Sequence, residues 1–227
     1  MNYSISPSKL NTFHLHVTDG YNGYITKDKL IEAIRGETPW SAKMEFGGAF
    51  HAVIEHGAEK YFNSSTGLYH VQIEGVEENY ILQPEEVQVA EDYRAKYKGM
   101  VNESKATYPI KIGDHNVIIN MRIDGLWGNE VHERKTTDKS PKYENYADSI
   151  QWKCYALATE CNKVVYDVFK YNNPRIGPKQ IELVQFEFLP YPTMLDDIRH
   201  YVDRFVRFCE NEDLMDFIKS KYQTEAV

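Results

Sequence analysis

A chain of 227 residues with 42% hydrophobic content is long enough to bury a proper core and suits one domain spanning 1–227. Its formal charge of −8 argues against indiscriminate electrostatic binding to nucleic acid, while leaving room for a local basic channel. The N-terminus lacks a basic segment followed by an apolar run, and nowhere are there about 18 consecutive apolar residues, so a soluble cytoplasmic protein that is neither secreted nor membrane-bound is expected.

In chain order, Ser6-Pro7-Ser8-Lys9-Leu10-Asn11-Thr12-Phe13 predicts a short helix with Ser6 as N-cap, Pro7 at the first helical position, and Leu10 and Phe13 facing inward. Asp19-Gly20 and Asn22-Gly23 mark turns, and Lys27 to Arg35 has helical periodicity. Gly47-Gly48 is expected to open a helix running to about Phe62, the glycines allowing another backbone or a phosphate to come close. His51 and Glu55, four apart, project from one side of it. Tyr69 to Leu82 reads as a hairpin, and Pro84 to about Ser104 as an amphipathic scaffold helix. Tyr108–Ile112 and Val117–Trp127 read as successive strands.

Met121 to Thr137 is the centre of the sequence. Two strand-compatible runs flank Gly128-Asn129, a two-residue loop whose members tolerate the positive φ that such turns demand. Pairing Trp127 with Glu130 and counting outward sets Asp124 opposite Glu133 and Arg122 opposite Lys135, all four on one face. Two carboxylates so close repel each other, and a hard divalent ion ligated by oxygens is the economical way to keep both ionised. A solvated hairpin of alternating charge is the bland counterpart of this reading.

Beyond it, a helix is predicted from before Ala147 to about Cys161, with Gln151 and Tyr155 one turn apart on one face. Val164–Tyr171 and Ile181–Leu189 are strands, with Asn172-Asn173-Pro174 starting the turn between them. A long helix follows, capped by Thr193 and breaking near Glu210 to Asp213. Cys154, Cys161 and Cys209, an odd number without C-x-x-C spacing, suit reduced thiols.

The order His51, Asp124, Glu133-x-Lys135, Gln151-x-x-x-Tyr155 resembles the RecB-like branch of the PD-(D/E)XK nuclease superfamily. The quoted segments, from Ser6 to Tyr155, include Gly48-Ala-Phe-His-Ala-Val-Ile-Glu55, Arg122-Ile-Asp-Gly125 and Val131-His-Glu-Arg-Lys-Thr-Thr137. The resemblance implies an α/β fold with a mixed central β-sheet flanked by α-helices, the restriction-endonuclease-like core. It also implies that His51, Asp124 and Glu133 hold divalent metal, that Lys135 assists the attacking water, and that Gln151 and Tyr155 lie against the nucleic-acid backbone. Arg122 is a further candidate phosphate contact and Glu55 a candidate support for the site.

Two features depart from the family's pattern. The position between the glutamate and the lysine is usually apolar, with its side chain directed away from the site; here it is Arg134, whose backbone carbonyl remains available to a metal. Some relatives carry an iron–sulfur cluster, but Phe13-His14 offers no cysteine where one ligand is expected, which implies a cluster-free member.

The function implied is hydrolysis of DNA phosphodiesters with Mg²⁺ or Mn²⁺, on single strands or duplex ends, by an end-processing exonuclease of repair or recombination. Two alternatives stay open: a structure- or sequence-specific endonuclease on the same scaffold, and a non-catalytic nucleic-acid-binding protein. Lys135 either orients the water or stabilises the pentavalent phosphorus. No helicase or recombination partner is identified by the sequence.

Overall fold

The computed structural model describes residues 2–18, 25–172 and 178–219. The turns expected at Asp19-Gly20 and Asn22-Gly23 lie outside these, as does most of the turn begun at Asn172.

Strand β1 (Asn2–Ile5) leads into helix α1 (Pro7–Val17). Ser6 caps that helix by accepting the Lys9 N–H at 3.3 Å, and Leu10 and Phe13 are buried as expected. Helix α2 (Lys27–Arg35) has the expected bounds, with Thr26 as N-cap and Gly36 closing it at φ 77°. Helix α3 spans Ala42–His56, so it starts before the paired glycines, because Ser41 provides the cap by accepting the Met44 N–H.

The glycines are therefore inside the helix, and what comes close there is protein. A Cβ at Gly47 would meet Thr136 Oγ1 at 2.8 Å, and one at Gly48 would meet Ile73 Cγ2 at 3.4 Å. The helix stops at Gly57 (φ 88°), short of Phe62, and a single 3₁₀ turn follows.

A three-stranded antiparallel sheet of β2 (Phe62–Asn63), β3 (Leu68–Val71) and β4 (Tyr80–Leu82) contains the expected hairpin. Helix α4 (Pro84–Lys96) is shorter than expected: its chain turns at Gly99 (φ 89°), and β5 (Val101–Ile112) occupies the segment expected to complete the helix. That strand pairs with β6 (His115–Trp127) from end to end except at Glu103, so tertiary pairing overrides the weak local signal of Val101 to Lys105.

After β7 (Glu130–Thr137), the expected single helix is two, α5 (Tyr143–Ala147) and α6 (Ile150–Thr159), the second capped by Ser149. Strands β8 (Lys163–Tyr171) and β9 (Ile181–Phe188) and helices α7 (Met194–Asn211) and α8 (Met215–Ile218) complete the described chain.

The larger sheet runs β1-β6-β7-β8-β9, with β5 on the other edge of β6, and it is mixed: β1 and β8 are parallel to their neighbours β6 and β7, and the other pairs are antiparallel. Helices cover both faces. On one side α1, α6 and α7 pack on Ile123, Val131, Val164, Tyr166 and Val168; on the other α3 and α4 pack on Phe169 and Tyr171. The alternation of β8 between these two cores is the period of a strand buried on both faces. This is the α/β fold with a mixed central sheet flanked by helices that the sequence implies. No described helix is long and apolar enough to cross a membrane.

Candidate active site

The hairpin forms in the expected register through Trp127↔Glu130, Leu126↔Val131 and Gly125↔His132. The ladder then ends one pair before Asp124 and Glu133, so these two are not bonded cross-strand partners as expected. Strand β7 leaves β6 there while staying paired with β8 as far as Thr137↔Lys170.

The ladder on the other edge of β6 is also interrupted: Asn102↔Gly125 and Ser104↔Ile123 pair, but Glu103, at φ 54°, does not pair with Asp124. Ile123 and Leu126 contact the same core although residues three apart in a regular strand face opposite sides, so β6 rotates between them. Asp124 thus sits in a fork. Its Oδ2 accepts the Arg134 N–H at 2.9 Å, and the Arg134 guanidinium donates to the Asp124 carbonyl, which satisfies backbone groups that the opened ladder would leave bare.

Glu133 is 2% exposed, on the α6 side of the fork. Its Oε1 accepts Lys135 Nζ at 2.6 Å and Gln151 Nε2 at 2.8 Å, while its buried Oε2 has no partner among the described residues. Burial and the neighbouring Asp124 carboxylate raise its pKa from 4.5 to about 7, against the opposing pull of Lys135. For Lys135, burial favours the neutral amine, but Glu133, Tyr166 and Asp124 outweigh it and hold the pKa above the ordinary value.

Gln151 also donates to Tyr155 Oη at 2.7 Å, and that hydroxyl donates to the Arg122 carbonyl at 3.2 Å. Tyr155 is 2% exposed, which corrects the expectation that it lies against a nucleic-acid backbone: its hydroxyl holds Gln151 and β6 in place. Only Gln151 of the pair is partly accessible.

His51 and Glu55 reach the region from α3. The His51 Nε2 is buried without a partner among the described residues, and burial pushes the imidazole pKa down to about 4, with Arg134 and Lys135 adding to the effect and Asp124 opposing it. The ring is therefore neutral near pH 7. Glu55 accepts Arg134 Nη2 at 3.1 Å, and burial raises its pKa despite that guanidinium. Arg134 directs its side chain to the α3 face and is fully buried there. Arg122 does not join Glu133 and Lys135 as expected; its largely exposed side chain pairs with Glu103.

Among the described residues, no group of three or more His, Cys, Asp or Glu stands close enough to hold a metal ion. His51 and Glu133 both lie within electrostatic reach of Asp124, although the three side chains as placed do not form a closed ligand set. The fork nonetheless has the chemistry of a cation site, because Glu133 Oε2 and His51 Nε2 are buried and unpartnered, and two carboxylates raise each other's energy. Cys154, Cys161 and Cys209 are buried free thiols.

The sequence reading missed a polar cluster on the opposite face of β7. Asp167, fully buried, accepts Tyr93 Oη at 2.6 Å, lies 2.6 Å from His132 Nδ1, and accepts Gln185 Nε2. Its signal is an aspartate inside the apolar run Val164 to Phe169, where only a paired charge is tolerated.

No family model matches the chain, and no curated protein matches it. Among solved structures, a protein designated SSO0001 is similar at a TM-score of 0.52 and 12% identity, over 91% of this chain and 76% of that one. LHK-Exo, an alkaline exonuclease from Laribacter hongkongensis, is similar at a TM-score of 0.47 and 14% identity, over 92% of this chain and 89% of that one. LHK-Exo in complex with dAMP gives the same TM-score and identity, with 88% of that chain covered. Identities this low speak to fold alone. The class that fold and site define is a mixed α/β protein with an aspartate, a glutamate and a lysine gathered where two central strands diverge.

Proposed function

We propose that the protein is a divalent-metal-dependent deoxyribonuclease, an end-processing exonuclease of the RecB-like PD-(D/E)XK type. The observation that carries this reading is the fork: Asp124 and the buried Glu133 share it, and Lys135 stands 2.6 Å from Glu133. Asp124 and Glu133 would hold Mg²⁺ or Mn²⁺, with His51 and the Arg134 carbonyl as further ligands. Such an ion, when bound, polarises a phosphoryl oxygen and lowers the pKa of its water. A histidine ligand tilts the preference toward Mn²⁺.

The chain's own groups have separable roles. Lys135, held protonated by Glu133, offers a positive charge to the attacking water or to the phosphorus centre. Gln151 keeps Glu133 aimed and presents its amide to a substrate phosphate, and Tyr155 positions Gln151. Glu55 fixes the Arg134 side chain, and with it the backbone between Glu133 and Lys135.

The test is incubation of linear and closed circular DNA with the protein and Mn²⁺, following the loss of each form. Linear DNA should disappear and circles persist. Cutting of circles would establish the endonuclease alternative, and no loss of either form with Mn²⁺ or Mg²⁺ would leave a non-catalytic binding protein.

A further inference from the structure

The strip of β6 that includes Asp124 leads away from the fork into a groove of about 810 Å³ that is open among the described residues. Its floor includes Ile118, Asn120 and Arg122, alternate residues of one strand and therefore on one face, and the next in that series is Asp124. From Ile118 to Asp124 the strand covers about 20 Å.

Two kinds of side chain line this groove. Lys9, Lys105, Arg122 and Lys219 surround it, and no carboxylate lines it among the described residues, in a chain whose formal charge is −8. Lys9 donates to the Ile34 carbonyl and Arg122 meets Glu103 at the edge, but Lys105 and Lys219 are exposed and without a side-chain partner among the described residues. Between the cations lie apolar groups: Ala106 and Ile118, both partly exposed, and the ring of Phe217, which is 48% exposed with the Arg35 guanidinium 5.4 Å from its centroid.

An intact duplex presents phosphates to such a surface and keeps its bases stacked inside. A single strand satisfies both halves of the lining, its phosphates on the lysines and its unstacked bases on the apolar floor. We propose that this groove binds single-stranded DNA and leads the strand to Asp124. The proposal deepens the nuclease reading and rests on it for what happens at the end of the groove.

The test uses the full chain in EDTA, so that binding is separated from cleavage, with fluorescence anisotropy of labelled oligo(dT), an abasic oligonucleotide of equal length and a blunt duplex, and poly-glutamate as competitor. Oligo(dT) should bind more tightly than either other DNA, and poly-glutamate should compete poorly. Lys105→Ala with Lys219→Ala should reduce the steepness of the salt dependence by about 1.4, at about 0.7 for each single-strand phosphate that a lysine no longer neutralises. Phe217→Ala should weaken oligo(dT) about 5-fold or more and leave the abasic strand unchanged.

Unchanged oligo(dT) binding in the double lysine variant overturns the proposal, as does duplex or poly-glutamate binding as tight as oligo(dT). The paired assay with Mn²⁺ separates the two readings. Groove-dependent binding without cleavage by the parent protein sinks the nuclease and keeps the groove; cleavage indifferent to both lysines does the reverse.

Discussion

Lys135 Nζ lies 2.6 Å from Glu133 Oε1, two residues back along β7, and the two side chains sit in very different surroundings: the carboxylate is 3% exposed and the lysine 37%. The lysine therefore neutralises Glu133 only from its open side, and burial together with Asp124 still raises the Glu133 pKa to about 7. Because the folded protein binds this proton more tightly than the unfolded chain, the stabilisation is complete below pH 4.5 and is lost as pH rises through about 7. In metal-free buffer, melting temperature should fall between about pH 5 and 8, and Glu133→Gln should flatten that fall. Equal slopes for the parent and Glu133→Gln would refute the assignment.

Helix α3 lies against β7 through Gly47, where a Cβ would meet Thr136 Oγ1 at 2.8 Å. Alanine is better than glycine inside a helix by about 1 kcal/mol, but crowding of this kind costs about 1–3 kcal/mol, so Gly47→Ala should be neutral to destabilising. Thr136→Ala added to it should recover the helix gain. Denaturant melts of the two single variants and the double variant check this, and additive effects would show that the contact does not limit the packing.

Asp167 should be a larger stability determinant than any residue of the fork. Asp167→Ala strips an acceptor from Tyr93 and His132, both buried, and should cost about 3–5 kcal/mol, whereas Tyr93→Phe should cost about 1.5–3 kcal/mol. Urea unfolding measures both, and a drop under about 1 kcal/mol for Asp167→Ala would mean that the cluster is solvated.

What the sequence made legible follows from how local each signal is. The Ser6 cap, the helix over Lys27–Arg35 and the Gly128-Asn129 register depend on adjacent residues, and each appears where expected. The start of α3 was misplaced because glycines look like punctuation, whereas here they admit Thr136. The length of β5 was hidden because Val101 to Lys105 becomes a strand only by pairing with β6. At the fork, counting outward from the loop assumes a regular ladder; the bend at Glu103 and the departure of β7 toward β8 depend on strands far away in sequence. The same long-range packing turned Arg122 toward Glu103 and buried Tyr155.

The roles assigned in the fork separate under mutation. Lys135→Ala leaves Asp124 and Glu133 in place, so Mn²⁺ binding should survive while cleavage falls about 10²–10⁴-fold, the range for losing an acid–base or charge-stabilising group. Asp124→Asn removes a charged ligand and should weaken Mn²⁺ binding as well as abolish cleavage, with partial rescue by excess Mn²⁺. It keeps an oxygen able to accept the Arg134 N–H, so the fork should stay folded. Gln151→Ala takes a donor from Glu133 Oε1 and an amide from the substrate side, and should weaken DNA binding with Mn²⁺ binding largely intact. Tyr155→Phe removes a hydroxyl that is turned inward, so it should act more weakly and in the same direction as Gln151→Ala. Calorimetry of Mn²⁺ binding beside a nuclease assay reads all four. Cleavage by Lys135→Ala at the parent rate, or parent-like Mn²⁺ binding by Asp124→Asn, would show that the chemistry lies outside this fork.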